Sequence, residues 1–467
     1  MSNQQQSNSL WVDIKASIAG NDRDFTEGKI SRAILLLSIP MVLEMMMESI
    51  FAVVDIFFVS KLGADAVATV GITESLITLI YAIAIGFSMA TTAVISRRIG
   101  EKDPEGASSS SVQAILIGII VSIPISLIGI FFAPELLSLM GAESNIIENL
   151  SSYTAIMIGG NVVIMLLFIM NAIFRGAGDA AISMRVLWIA NAINIVLDPL
   201  LIFGIWIFPE LGVKGAAVAT TIGRGIGVLY QFYCLSGDGT RIKILRKHIK
   251  VEWDIMKKMI RISLGGIFQW FIATSSWIGL VKILASFGSV TVAGYTIAIR
   301  ILVFSILPSW GMSNAAATLV GQNLGANKPD RAEKSVWMAA IVNMVFLGFV
   351  GVIFYSFSEY LVKIFTDDVQ IIEIGAKCLR IISYGYLAYA VGMVVTQSFN
   401  GAGDTMTPTY INVLCFWMVE IPLAYFLAIE FGWKQDGVFY SIVVAETLLG
   451  IIGFILFKRG KWKQTKV

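Results

Sequence analysis

One histidine and three cysteines in 467 residues leave little with which to build a metal centre or a nucleophile–base pair. His248 lies among lysines in a basic loop, and Cys234, Cys378 and Cys415 are scattered without ligand or disulfide spacing, as small apolar packing residues are. No G-x-x-x-x-G-K-[ST] loop occurs, so ATP is not hydrolysed on this chain. Charge is scarce too: 14% of residues are Asp, Glu, Lys or Arg, and the net charge is +2. These absences remove most enzyme readings, and neither a cofactor nor a nucleic-acid partner is expected.

What the chain has instead is apolar length. It is 57% hydrophobic with a mean hydropathy of +0.79, far above soluble globular composition. Apolar runs of about 20 residues, each able to span about 30 Å of hydrocarbon, recur from end to end. A membrane β-barrel would show short alternating segments instead. The polar, mixed-charge opening residues predict no cleaved signal peptide. The composition thus predicts an all-α polytopic membrane protein. Twelve transmembrane helices are expected, near 34–59, 68–90, 110–132, 152–174, 182–206 and 213–235, then 262–285, 290–321, 335–357, 379–400, 408–430 and 437–458. Alternate connections hold about 25 of the 34 Lys and Arg, which predicts that both termini are cytoplasmic and that the chain sits in the plasma (inner) membrane.

An internal repeat divides the chain. Residues 86–107 lie over 311–332, with Gly86, Ser88, Ala90, Gly100, Pro104 and Ala107 each matched 225 positions later. FRGAGD at 174–179 recurs as FNGAGD at 399–404, and LGADAVATVGI at 62–72 lies over FGSVTVAGYTI, all at that offset. Six spans per copy predict two homologous six-helix lobes related by a pseudo-two-fold axis along the membrane normal. The expected divisions are a cytoplasmic tail at 1–33, an N-terminal lobe at 34–235, a basic linker at 236–261, a C-terminal lobe at 262–458 and a tail at 459–467. The linker reads as a solvated cytoplasmic segment obeying the charge bias, with contact to anionic lipid as its functional alternative. The GAGD elements read as helix-ending turns, Gly supplying φ > 0 and Asp the next cap.

The first span carries an acidic stripe. Glu44, Glu48 and Asp55, at i, i+4 and i+11, fall within about 40° of one helical face. Central charges cost roughly 2.5–3.5 kcal/mol each on insertion scales, so this face must point into a bundle or a wet cavity. The fifth span carries Asn191, Asn194 and Asp198 on one face, and Asp198 precedes Pro199, which frees a carbonyl one turn back. The repeat leaves these positions empty in the second half: Asp55, Glu48 and Glu44 correspond to Leu280, Ala273 and Gln269, and Asn191, Asn194 and Asp198 to Phe416, Val419 and Leu423. Carboxylates, an amide oxygen and a freed carbonyl are hard oxygen ligands suited to Na⁺ or to holding a proton. The structural alternative is that each acid pairs with a buried cation such as Arg224. Met41, Met45, Met46 and Met47 in span one, with Gln269, Trp270, Trp277 and Trp310 in the second half, suit hydrophobic or cationic small molecules, or simply pack. Glu420 and Glu446, deep in spans eleven and twelve, are candidates for an acidic site of the C-terminal lobe.

These residues resemble the multidrug and toxic compound extrusion (MATE) transporters. The resemblance covers essentially the whole chain, through the twelve spans, the two halves and the RGAGD and NGAGD elements at 175–179 and 400–404. VVDIFFVSKLG in span one and NIVLDP in span five look most like the DinF-type branch. That resemblance implies a cation-coupling site at Asp55, Asp198, Asn194 and Thr220, the last within GVKGAAVATT. The NorM branch is less similar, because its second-half carboxylates in spans seven and ten have no equivalent: span seven has no acid and Tyr389 falls near the span-ten place. Glu44 and Glu48 are additions to the DinF-type pattern and, with Asn191, mark a further proton or substrate site.

The expected function is a monomeric secondary exporter, not an enzyme, antiporting hydrophobic or cationic compounds against H⁺ or Na⁺ by alternating access, with lipid as its surroundings. Hinges are expected at Pro40 and Pro199. No metal is expected beyond Na⁺ at the coupling site. The alternative within the same superfamily is a flippase for lipid-linked saccharides, which needs a cationic cleft. An intramembrane enzyme lacks a histidine at membrane depth, and a channel would show a symmetric filter.

Overall fold

The computed structural model describes residues 10–20, 24–237 and 239–467. It is built of helices: α1 (Leu10–Ala19), α2 (Ile30–Ser60), α3 (Ala64–Gly100), α4 (Pro104–Phe131), α5 (Ala133–Leu139), α6 (Ser144–Gly159), α7 (Asn161–Ala177), α8 (Ala180–Phe203) and α9 (Val213–Ser236). After a connection come α10 (Trp253–Ala285), α11 (Ser289–Gly325), α12 (Pro329–Lys363), α13 (Val369–Ser383), α14 (Tyr386–Ala402), α15 (Met406–Glu430) and α16 (Gln435–Lys458). Among the described residues nine helical segments are long and apolar enough to cross a membrane, or ten if α13 and α14 form one broken span. The two other long helices, α2 and α9, carry the polar residues: three carboxylates on α2, and Arg224 with a Thr pair on α9.

Local chemistry sets the helix ends. Asp103 caps α4 by accepting from the Gly106 N–H at 2.8 Å, and Pro104 occupies the first turn, where its missing N–H costs nothing. Backbone conformation repeats with the sequence. Gly63 and Gly288 (φ 100° and 102°), Lys102 and Asn327 (58° and 57°), and Gly178 and Gly403 (92° and 88°) are left-handed residues 225 positions apart. Both GAGD turns close their helices as expected. Asp404 accepts from the Thr407 N–H at 3.1 Å, whereas Asp179 instead accepts from the Arg241 N–H at 3.2 Å.

Two segments depart from the expected continuous spans. The segment at 379–400 breaks between α13 and α14 with a bend of 63°, at Gly385; its repeat partner Gly160 marks the junction of α6 and α7. Helix α15 contains π-helical turns at Val413–Glu420 and Phe426–Glu430, flanking Pro422, which cannot donate to a carbonyl one turn back. The basic linker is also more ordered than a solvated strand. Its last third is already α10, and His248 is buried with Nε2 2.8 Å from Glu105 Oε2. Gln113 of α4 donates to the Lys250 carbonyl at 2.7 Å and accepts from the Glu252 N–H at 3.0 Å.

One apolar core draws on residues 59–259 and another on 280–439, while a third joins Phe25–Met41 to residues 315–462. Between the halves the helices meet through glycine. A Cβ on Gly100 would lie 2.0 Å from the Gln322 carbonyl oxygen, and one on Gly325 would lie 2.2 Å from that of Arg97. These are the same contact with the halves exchanged, since 97 and 100 shifted by 225 are 322 and 325. Small residues let two backbones approach this closely where lipid offers no hydrophobic drive to associate. Residues 25–28 and the segment around Thr465 are held beside this seam. Arg97 donates to the Thr465 carbonyl at 2.9 Å, and Arg331 donates to the carbonyls of Glu27 and Gly28 at 2.8 Å.

Candidate cation and substrate site

A cavity of about 430 Å³ lies between the halves, lined by residues of both. Four carboxylates (Glu44, Glu48, Asp55 and Glu74) and two guanidiniums (Arg175 and Arg224) line it, with Met45, Met89, Trp270 and Trp310 among the apolar walls. The acidic face of α2 is turned inward, as its cost in lipid requires. Trp270 and Trp310 stack on each other, ring centres 5.2 Å apart, on the side supplied by the second half.

The acids do not share one environment. Glu44 is fully buried and accepts from Arg175 at 2.7 Å. Glu48 accepts from Asn191 Nδ2 at 3.2 Å and faces Arg224 at 3.4 Å, and Arg224 also donates to the Tyr81 hydroxyl at 3.2 Å and lies over the Phe51 ring. Pairing with a buried cation, open for each of the acids, is thus met at Glu48 by Arg224 and at Glu44 by Arg175. Arg175 was not singled out from the sequence, although a signal exists: Arg175 becomes Asn400 in the second copy just where Glu44 becomes Gln269. Glu74 and Tyr81, one helix over, were passed over too, although Glu74 is an acid inside an expected span and the two become Ile299 and Ile306 in the second copy.

Asp198, Asn194 and Thr220 come together on α8 and α9. Asn194 Nδ2 donates to Asp198 Oδ1 at 3.3 Å and to Thr220 Oγ1 at 3.0 Å, and all three side chains are buried. The i, i+4 spacing of Asn194 and Asp198 stacks them on one face, and glycines on α9 let Thr220 approach: Gly223 packs against the Ala190 carbonyl and Asn194. Among the described residues, Asp198 Oδ2 and Asn194 Oδ1 have no hydrogen-bond donor. Asp55 lines the cavity with Thr220, half-buried and with no ion pair among the described residues. Asn191, on the same face of α8, is drawn to Glu48 instead and stands apart from this cluster. Pro40 and Pro199 both lie inside continuous helices, Pro40 buried beside Met41, whose carbonyl faces Gly311.

The comparison with known proteins follows this geometry. The chain is 26% identical over 445 residues to a probable multidrug resistance protein NorM of Thermotoga maritima, covering 94% of each. It is 25% identical to the probable multidrug resistance protein YoeA of Bacillus subtilis, covering 93% of this chain and 95% of that one. It also superposes, with a TM-score of 0.88 and 25% identity over 94% of this chain and 98% of the other, on a solved structure of the outward-facing conformation of a multidrug resistance MATE family transporter of the MOP superfamily. With residues 40–200 and 267–426 matching the MatE pattern, one block in each half, this multi-pass membrane protein belongs to the MatE family.

Proposed function

We propose that the chain is a secondary active multidrug exporter in which H⁺ or Na⁺ entering at Asp55, Asp198, Asn194 and Thr220 drives organic, often cationic, compounds outward. The observation that carries this is the pair of buried oxygens, Asp198 Oδ2 and Asn194 Oδ1, left without a donor beside a membrane cavity. A buried carboxylate oxygen without a partner costs several kcal/mol, and a proton or a cation is what removes that cost. Arg224 is hydrogen-bonded to Glu48 and Tyr81, and among the described residues no basic side chain donates to Asp198 Oδ2 or Asn194 Oδ1.

The cavity favours a cationic solute. Its formal charge is four carboxylates less two guanidiniums, a surplus of two negative charges, with methionine and tryptophan walls for apolar bulk. A saccharide flippase would need the opposite sign to meet pyrophosphate. Counting α2 and α9 as spans, and α13 with α14 as one, gives twelve helices, and the exchanged glycine contacts support two lobes about an axis along the membrane normal. The glycine seam joins the halves near residues 27, 28 and 465, at the end that the charge bias assigns to the cytoplasm. Alternating access then opens that end while closing the other, with Pro40 and Pro199 as hinges. For the ion to drive transport it must bind one of these states better than the other.

The test is ethidium or norfloxacin efflux from vesicles holding the purified chain, under a pH gradient and a Na⁺ gradient imposed separately. One gradient alone is expected to support efflux, and Asp55→Asn or Asp198→Asn to abolish that dependence. Undiminished, gradient-dependent export by a folded Asp55→Asn variant would sink the reading.

A further inference from the structure

The second half holds a cavity of its own, about 190 Å³, separate from the central one. Its lining includes Ala273, Leu280 and Phe416, the residues 225 positions beyond Glu48, Asp55 and Asn191. It is therefore the counterpart of the first-half site, stripped of that site's acids. Yet it is not apolar, because Glu420 from α15 and Glu446 from α16 enter it from positions whose own first-half partners are Ile195 and Thr221. Acidity lost on α10 at Leu280, and on α15 at Leu423, has been regained on other faces of α15 and α16.

The surroundings call for a ligand. Among the described residues, no lysine, arginine or histidine lines this cavity. Glu420 is 5% exposed and accepts from Ser276 Oγ at 2.5 Å, while Glu446 Oε2 is buried with no donor. The Tyr386 hydroxyl, on a side chain only 2% exposed, lines the same space and makes no hydrogen bond of normal geometry among the described residues; the neighbouring Ser305 hydroxyl donates to the Leu302 carbonyl at 2.7 Å and keeps its acceptor capacity. Tyr295 and Tyr389 complete the titratable lining, and Cys415 lies beside both carboxylates. Two carboxylates cannot both stay charged in such a volume without a positive partner, since each costs several kcal/mol to bury and they repel one another. Glu420 also ends the π-helical turn Val413–Glu420, a widened backbone that tends to mark functional positions.

We propose that Glu420 and Glu446, with the hydroxyls of Ser276 and Tyr386, form a second binding site for one small monovalent cation, a proton or Na⁺, in the C-terminal half. The donor set is all hard oxygen, and the volume admits a small ion with a few waters but no drug-sized solute. This site is independent of the Asp55–Asp198 reading, because it shares no residue and no cavity with it.

The experiment is infrared difference spectroscopy of the purified full-length chain in lipid nanodiscs, stepping pH at fixed ionic strength with either NaCl or choline chloride. The wild type is expected to show a protonated-carboxyl band that Glu446→Gln or Glu420→Gln removes. Asp55→Asn/Asp198→Asn should keep it, whether or not those residues prove to drive export. If the occupant is a proton, the band is lost with alkalinity alone; if sodium, NaCl removes it at fixed pH where choline does not. Tyr386→Phe, which deletes one hydroxyl, should shift the band or its midpoint, and guards against a misfolded glutamine variant. The same titrating carboxyl bands in the wild type, both glutamine variants and Tyr386→Phe would overturn the proposal.

Discussion

Arg175 and Glu44 form a buried ion pair at 2.7 Å, and 225 residues further on their counterparts, Asn400 and Gln269, form an amide pair at 3.0 Å. The same contact between the same two helices of each half is charged in one copy and neutral in the other. Lining the cavity, the charged version keeps one acid of α2 neutralised where it cannot meet water.

Breaking that pair from one side should cost more than replacing it. Arg175→Asn leaves Glu44 buried and alone, a loss of about 3–5 kcal/mol. The double change Glu44→Gln/Arg175→Asn copies the second half and should recover most of it. Thermal unfolding in detergent of the two singles and the double gives the coupling directly; a double variant no more stable than Arg175→Asn would contradict the pairing.

Asp198→Asn should separate stability from transport. The amide removes a buried charge at nearly constant shape, so the melting temperature should hold or rise, while gradient-driven efflux falls at least about tenfold, equivalent to about 1.4 kcal/mol in activation free energy. Thr220→Ala, which removes an uncharged oxygen of the site and the acceptor for Asn194 Nδ2 but no carboxylate, should weaken efflux less. Paired unfolding and efflux measurements decide it.

The glycine seam should reject a methyl group. At Gly100 the new Cβ would sit 2.0 Å from a backbone oxygen, which cannot swing away, so Gly100→Ala should lose about 1–3 kcal/mol and favour separation of the halves at that end. At Gly71 nothing lies within 4 Å, and Gly71→Ala should leave stability equal or higher. Unfolding temperatures of the two variants, with cysteine cross-linking across the seam, distinguish local strain from general damage.

The C-terminal tail should be structural. Trp462 is fully buried, stacks on Phe457 at 4.4 Å and donates its indole N–H to the Phe457 carbonyl at 2.8 Å. Trp462→Ala should cost about 3–5 kcal/mol, with limited proteolysis of the last residues as the readout.

Much of this molecule was legible before folding. Hydropathy alone implied membrane helices, and a constant offset of 225 announced the duplication that reappears in backbone angles, at Gly63 and Gly288 and at Gly178 and Gly403. Helical periodicity aligned Glu44, Glu48 and Asp55, and it aligned Asn194 with Asp198, because residues four apart on a helix share a face whatever surrounds them. The partners were legible only in part. Periodicity put Asn191 on one face with Asn194 and Asp198, and its grouping with Glu48 is the one that the contact follows, whereas nothing local said which acid would meet Arg224.

The sequence by itself determined that this is a duplicated bundle of membrane helices with acids on the inward face of α2, since the penalty of exposing charge or backbone to lipid acts on each helix separately. The tertiary structure decided which acid meets an arginine, which is left with an unpaired oxygen, and where a second acidic cavity lies. Those outcomes depend on helices more than a hundred residues apart meeting at a particular depth and rotation, which close packing through glycine fixes and no local pattern encodes.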